Sequence, residues 1–329
     1  MLCKNPFIKD AMAYGCGQCL PCRVKKRSEW TSRILLEALM HEHNAFVTLT
    51  YAPEHLPLTD KGLGTLNPDH LKDWQKRLSY HAGKKLRFYS VGEYGDETHR
   101  PHYHAAVFGL PGCSSYNKKC PCMACETLRR SWKHGNTLNG TLTSDSAAYV
   151  AGYVTKKMTD RKPEEKYERL LKKDPKVAAN YKKHVLDVLN GRHPEFARMS
   201  LGTRKNGKGG IGKPALDLIK GLLWSSHGNQ LMTELNDVPD FIKIGGKKRF
   251  LGSYLKSKLR EELNVTETDK KNKAMLLRQE KIEDYYTYRQ ELENPAEALS
   301  QKEYLLDKHL QKVRSLEKRY KIHSKKGEL

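Results

Sequence analysis

Apolar and polar positions along the chain follow two periods, and the switches between them predict its elements. S-E-W-T-S-R-I-L-L-E-A-L-M-H-E-H carries its apolar residues at helical spacing. The next stretch, A-F-V-T-L-T-Y, alternates like a strand and sets Thr48 and Thr50 on one face. N-P-D-H-L-K-D-W-Q-K-R-L predicts a helix opened by an Asn cap and a first-turn proline and closing near Gly83. K-L-R-F-Y-S-V-G-E and P-H-Y-H-A-A-V-F-G predict two more strands, and the short connection Y-G-D-E-T-H-R favours antiparallel neighbours. A helix around C-E-T-L-R-R-S-W-K-H, a strand around T-L-N-G-T-L-T and a helix S-D-S-A-A-Y-V-A-G-Y-V-T-K-K-M follow. The last is opened by Ser144 and Asp145 and weakened by Gly152. Strand, helix, strand, strand, helix, strand, helix is an α+β order: an antiparallel sheet with flanking helices.

Beyond Met158 the pattern becomes charged and helical, in K-P-E-E-K-Y-E-R-L-L-K-K and Y-K-K-H-V-L-D-V-L. It then passes through the loop G-T-R-K-N-G-K-G-G-I-G-K-P, whose glycines and lysines suit either phosphate tracking or a flexible surface. I-K-I-G-G-K-K-R-F-L-G predicts a hairpin with a Gly-Gly turn and a basic arm. From about Leu255, Leu, Tyr and Val at helical spacing among alternating charges predict long exposed helices, free or paired as a coiled coil.

Charge changes the picture. Sixty Lys and Arg against 38 Asp and Glu give a net charge of +22, which favours a polyanionic partner, nucleic acid above all, over a merely solvated basic surface. No run approaches the roughly 18 apolar residues of a membrane span. The start, M-L-C-K-N-P, lacks a signal-peptide core, so the chain is read as soluble and intracellular, with no membrane partner.

The eight cysteines form two sets: Cys3, Cys16, Cys19 and Cys22, and Cys113, Cys120, Cys122 and Cys125. With no secretion signal, CxxC spacing suits structural zinc held by four thiolates better than disulfides, and iron–sulfur ligation uses similar spacings. Four thiolates leave no open coordination position, so both clusters read as staples rather than catalytic centres. The first runs directly into R-V-K-K-R, which makes Arg23, Lys25 and Lys26 candidate DNA contacts, as is Lys157 further along.

The catalytic signal lies in R-P-H-Y-H-A-A-V-F-G. Strand alternation points His102 and His104 to the same side, which suggests a metal. A third ligand is offered by Glu93 in V-G-E-Y-G, with Asp96, Glu97 and His99 as competitors; imidazole plus carboxylate accommodates magnesium or manganese and leaves positions open. On the helix from Ser144, Tyr149 and Tyr153 at i, i+4 share a face with Lys156. A metal-polarised phosphoryl group attacked by a tyrosine oxygen would use all these parts, as a nickase does.

These residues resemble a known family. R-P-H-Y-H-A-A-V-F-G is similar to the His-hydrophobe-His motif of HUH endonucleases and F-V-T-L-T-Y to their first motif. Y-V-A-G-Y-V-T-K-K is similar to the paired-tyrosine motif of rolling-circle replication initiators. Together with C-G-Q-C-L-P-C-R, E-F-A-R-M-S-L and L-G-S-Y-L-K-S-K-L-R-E-E-L, they resemble the initiators of gokushovirus-like microviruses.

The resemblance implies a ferredoxin-related sheet and a metal held by His102, His104 and Glu93. It implies Tyr149 and Tyr153 as alternating nucleophiles, Lys156 on the phosphate, and Thr48 and Thr50 in a structural or DNA-contacting role. The implied substrate is the single-stranded and supercoiled double-stranded viral origin, in a host bacterial cytoplasm. No Walker-type G-x-x-x-x-G-K-[ST] is present, so unwinding would fall to a host helicase and replisome.

The chain then divides into a cysteine cluster and helix at 1–44 and an HUH domain at 45–160 with a cysteine insertion at 113–125. A helical and basic-loop region with possible DNA contacts occupies 161–254, and a charged helical tail 255–329. The rival readings are a plasmid initiator or mobilisation relaxase of the same chemistry, and a non-catalytic zinc-stapled nucleic-acid-binding protein.

Overall fold

The computed structural model describes residues 2–9, 12–95, 98–156, 167–168, 170–172, 175, 178–179, 191–201, 209–224, 237–244, 246–292 and 298–325. In chain order, β1 (Phe7–Lys9) and β2 (Met12–Tyr14) form a small hairpin and lead to α1 (Leu20–Leu39) and β3 (Asn44–Tyr51). There follow α2 (Pro68–His81), β4 (Arg87–Tyr94), β5 (Pro101–Phe108), α3 (Met123–Ser131), β6 (Gly135–Thr141) and α4 (Ser144–Lys156). After them come β7 (Phe196–Met199), α5 (Leu216–Leu223), β8 (Phe241–Ile244), β9 (Lys247–Phe250), α6 (Gly252–Glu262), α7 (Glu267–Gln290) and α8 (Gln301–Lys325). Two compact units result, Arg33–Ala215 and Met1–Ser32 with Leu216–Leu329. Among the described residues no helix is long and apolar enough to cross a membrane.

The first of these units is an antiparallel five-stranded sheet in the order β6-β3-β5-β4-β7, with helices on its faces. Alternation decides what each face carries. Ala45, Val47, Leu49 and Tyr51 of β3 join Tyr103, Ala105 and Val107 of β5 in one core with Leu71, Trp74 and Leu78 of α2 and Leu128 of α3. Asn67 caps α2 as its sequence predicts, its Oδ1 accepting from the backbone N–H of Asp69 at 2.9 Å. The Tyr103 hydroxyl, buried in this core, lies 2.8 Å from that of Tyr51. The opposite face carries Phe46, Thr48 and Thr50, the two histidines and Glu93, and α4 contacts β4, β5 and β7. At the other end of that face, Glu37 of α1 is fully buried and accepts from Arg87 Nε, from Arg87 Nη2 at 3.4 Å and from the N–H of Gly212 at 2.7 Å.

Four details depart from the periodic reading. Helix α1 begins at Leu20, eight residues before the predicted start, so R-V-K-K-R is helical, and it ends at Leu39, where Asn44 Nδ2 donates to the Ala38 and His41 carbonyls. Thr143 rather than Ser144 or Asp145 caps α4: its Oγ1 accepts from the Ser146 N–H at 3.2 Å, and Ser146 Oγ accepts from the Thr143 N–H at 2.7 Å. The segment E-F-A-R-M-S-L supplies β7, an edge strand pairing with β4 from a hundred residues away. Finally, the N-terminal hairpin lies in a stretch with no period long enough to signal it.

In the second unit, Leu251, Leu255 and Leu259 are fully buried at helical spacing beside or within α6, as are Ile219 of α5 and Val238. Asp237, nearly fully buried, accepts both Arg260 Nε and Nη2 at 2.7 and 2.6 Å. The predicted hairpin forms, with Ile242 opposite Arg249 and Lys243 opposite Lys248. The tail helices pair within the chain: Tyr288 stacks on Tyr304 at 4.3 Å, and Tyr285 donates to the Leu299 carbonyl at 3.1 Å. On α8, His309, Val313 and Glu317 form one stripe. His309 Nε2 donates to the Cys3 carbonyl at 2.6 Å, Val313 is buried, and Glu317 lies 3.5 Å from Lys4 Nζ.

Candidate functional site

Strand register builds the site. In the antiparallel ladder Glu93 is the direct partner of His102, which is also paired with Thr50, while His104 is paired with Thr48. Partners share a face, so one short patch of sheet gathers the carboxylate and both imidazoles. Glu93 Oε1 lies 2.6 Å from His102 Nε2 and 3.0 Å from His104 Nε2, and one ligand atom from each of the three residues falls within 4.8 Å of the others. Helix α4 adds Tyr149, whose hydroxyl donates to the same Glu93 Oε1 at 3.1 Å. Its ring stands edge-on to His104 at 5.1 Å and to Phe46 at 6.2 Å, and the residue remains 39% exposed, open to a large substrate.

The outer contacts fix the histidines. His102 Nδ1 is 3.1 Å from the Arg100 carbonyl, which can only accept, so Nδ1 carries the proton and Nε2 of the neutral ring offers its lone pair to the site. His104 Nδ1 is held 2.9 Å from Thr48 Oγ1, and its ring lies parallel to Phe46 at 5.4 Å. Burial pushes the Glu93 carboxyl up, but hydrogen bonds from both histidines hold it below the usual carboxylate range. Burial also lowers His102, yet Glu93 and the Arg100 carbonyl leave it raised overall; burial leaves His104 lowered.

These residues fit a divalent cation. Lone-pair atoms of His102 and Glu93 face each other at hydrogen-bond distance, an arrangement that needs a shared proton or a cation. Glu93 Oε2 is buried with no hydrogen-bond partner among the described residues, an acceptor whose desolvation costs on the order of 1–3 kcal/mol unless something positive meets it. Two imidazoles and one carboxylate suit Mg²⁺ or Mn²⁺ with positions left for phosphate or water.

Both cysteine sets converge as well, each with its four sulfurs within 4.8 Å of one another. The Cys3–Cys19 sulfur separation is 3.8 Å and the Cys113–Cys120 separation 3.5 Å. A disulfide would require about 2.0 Å, whereas the edge of a zinc–thiolate tetrahedron is roughly 3.8 Å. All eight thiols are free, and each cluster can hold a zinc ion. Backbone N–H groups of Cys19 and Gln18 lower the Cys16 thiol to about 6, while burial pushes Cys22 up to about 12. Ser115 lowers Cys113 to about 6, and burial raises Cys125.

The remaining sequence candidates divide. Tyr153 and Lys156 lie on the α4 backbone, but their side chains fall outside the described residues, as do Lys157, Asp96 and Glu97. His99 is exposed in the β4–β5 turn, away from the cluster. Thr48 Oγ1 is engaged by His104, and Thr50 is half-buried beside His102. Lys26 is exposed on α1, while Lys25 lies over the Phe250 ring at 5.3 Å. Phe46 and the Arg100 carbonyl went unnoticed in the sequence. The alternation that puts Thr48 on the site face puts Phe46 there too, so the signal for Phe46 was present.

Residues 44–158, from β3 to just past α4, match the family model for replication-associated proteins of the ORF2 type. The chain is 33% identical over 165 residues to Replication-associated protein ORF2 of Spiroplasma virus 4, covering 47% of this chain and 51% of that protein. It is 33% identical over 160 residues to Replication-associated protein VP4 of Bdellovibrio phage phiMH2K, covering 45% and 50%. It is 34% identical over 155 residues to Replication-associated protein ORF4 of Chlamydia phage 1, covering 43% and 38%. The chain thus spans about half the length, or less, of the curated relatives it matches. No solved structure matches it. The resemblance to phage replication proteins read in the sequence is borne out by these similarities.

Proposed function

We propose that the protein initiates rolling-circle replication of a small single-stranded DNA phage of the microvirus type by nicking and rejoining the origin strand, with HUH endonuclease chemistry. One observation carries the reading: the Tyr149 hydroxyl lies within 3.1 Å of the carboxylate that also meets both strand histidines. The similarity of residues 44–158 to replication-associated proteins supports the biological setting.

His102, His104 and Glu93 would hold Mg²⁺ or Mn²⁺, which when bound supplies Lewis-acid polarisation of the scissile phosphoryl group. Thr48 and the Arg100 carbonyl keep the two imidazoles aimed inward. Tyr149 gives up its hydroxyl proton and its oxygen attacks phosphorus; the bond to the 3′-oxygen breaks, that oxygen takes a proton, and the 5′ end remains as a phosphotyrosine. The free 3′-hydroxyl primes synthesis. After one circuit Tyr153 repeats the cut, and the released 3′-hydroxyl attacks the first phosphotyrosine to close the circle, with Lys156 on the phosphate. The ester conserves the bond energy, so joining needs no nucleotide cofactor. The cysteine clusters hold structural zinc, and a host helicase and replisome act alongside in the bacterial cytoplasm.

The test mixes the protein with single-stranded origin DNA and Mn²⁺ and looks for an adduct that survives denaturation. Wild type should form it, His104→Ala should not, and Tyr149→Phe should lose the share formed by that residue, leaving what Tyr153 forms. DNA binding with no adduct under Mg²⁺ or Mn²⁺ would replace this reading with a non-catalytic binding protein.

A further inference from the structure

The β8–β9 hairpin belongs to no part of the chemistry above, yet its two faces differ sharply. Ile242 is buried and shares one face with Arg249. The other carries Phe241 opposite Phe250 and Lys243 opposite Lys248. On it Phe241 is 43% exposed, and Lys243 and Lys248 are exposed. Lys248 Nζ sits 4.4 Å from the Phe241 ring centroid and Lys25 Nζ 5.3 Å from that of Phe250, so cations and aromatic rings interleave across the surface.

Local carboxylates are spent elsewhere. Asp240 pairs with Lys256 and Asp237 with Arg260, and among the described residues Lys243 and Lys248 have no carboxylate within ion-pair distance. A surface that leaves two ammonium groups uncompensated beside a solvent-facing ring is complementary to a strand offering phosphates and unstacked bases. A duplex keeps its bases stacked inside and would leave the ring unused.

We propose that this hairpin face is a single-stranded DNA-binding surface, with Lys243 and Lys248 on phosphates and the Phe241 ring under a base. It extends the replication reading by giving the chain a strand-holding site made of residues that take no part in cleavage.

The test measures binding of a labelled oligothymidylate to the full chain by fluorescence anisotropy at several salt concentrations, without added divalent metal. All proteins carry Tyr149→Phe, so the outcome is independent of that tyrosine's part in cleavage. Lys243→Gln with Lys248→Gln should weaken binding about tenfold and flatten the logarithmic salt slope by about 1.4. Phe241→Leu, which keeps an apolar side chain but removes the ring, should weaken it roughly fivefold or more with the slope unchanged. Unaltered affinity in both variants, or a loss seen on duplex but not on the single strand, overturns the proposal.

Discussion

The Glu93–His102–His104 patch and the Cys113–Cys125 cluster can each take a metal, but they are assembled in opposite ways. The cysteine ligands come from thirteen consecutive residues of loop and helix start, so their geometry is local and four sulfurs close it. The histidine–carboxylate ligands sit on two strands of a sheet buried on both faces, and the geometry is imposed by ladder pairing; three ligands leave it open. Where ligands are local, metal can organise the chain; where the sheet holds them, the chain organises the metal. Replacing a cysteine should therefore cost folding, and replacing a histidine should cost chemistry.

The largest effect should fall on the open site. His104→Ala is expected to cut covalent adduct formation about a thousandfold or more in a single-turnover gel assay. The sheet should persist in circular dichroism; loss of the sheet instead would erase the contrast. Cys125→Ser, which removes a buried ligand next to the Leu128 core, should lower the thermal midpoint by about 10 °C in scanning calorimetry. An unchanged midpoint would mean that the cluster organises nothing.

Thr48→Val sharpens the comparison from the second layer. Without Oγ1 the His104 ring loses its anchor, and Mn²⁺ affinity followed by titration calorimetry should fall roughly tenfold while the thermal midpoint barely moves. The smallest effect concerns a fold-holding group with no metal. Burial would push the Glu37 carboxyl up, but His41, Arg87 and the Gly212 N–H hold it below the usual range. A depressed carboxyl contributes stability above its unfolded pKa and loses it as pH falls through the folded one. Thermal midpoints measured below about pH 4.5 should therefore drop. The drop should be shallower in Glu37→Gln, whose midpoint at neutral pH starts lower.

The same local-versus-paired distinction explains what could be read from the sequence. The cysteine spacing, the α2 cap at Asn67 and the alternation of β3 are local patterns, and each folded as its pattern indicates. Glu93 was within reach because only a tight connection separates it from His102. Strand β7 was not, since its pairing with β4 depends on contacts across the intervening hundred residues and its four residues carry too little alternation. The true start of α1 was hidden because R-V-K-K-R has no apolar stripe, although Pro21 is a favoured first-turn residue. On α4, helical spacing brought Tyr149, Tyr153 and Lys156 to one face, but which strand residue would meet Tyr149 is a matter of packing that no period encodes.

The ladder that joins Glu93 to His102 also sets rules for insertions and deletions. Adding or removing one residue inside β4 would turn Glu93 to the opposite side of the sheet. A two-residue change would restore the side but carry the carboxylate about 6.7 Å along the strand, beyond reach of the imidazole. The connection at residues 95–100 is free of both constraints, so related sequences should vary in length there while the stretch from Arg87 to Glu93 and that from His102 to Phe108 keep a fixed count.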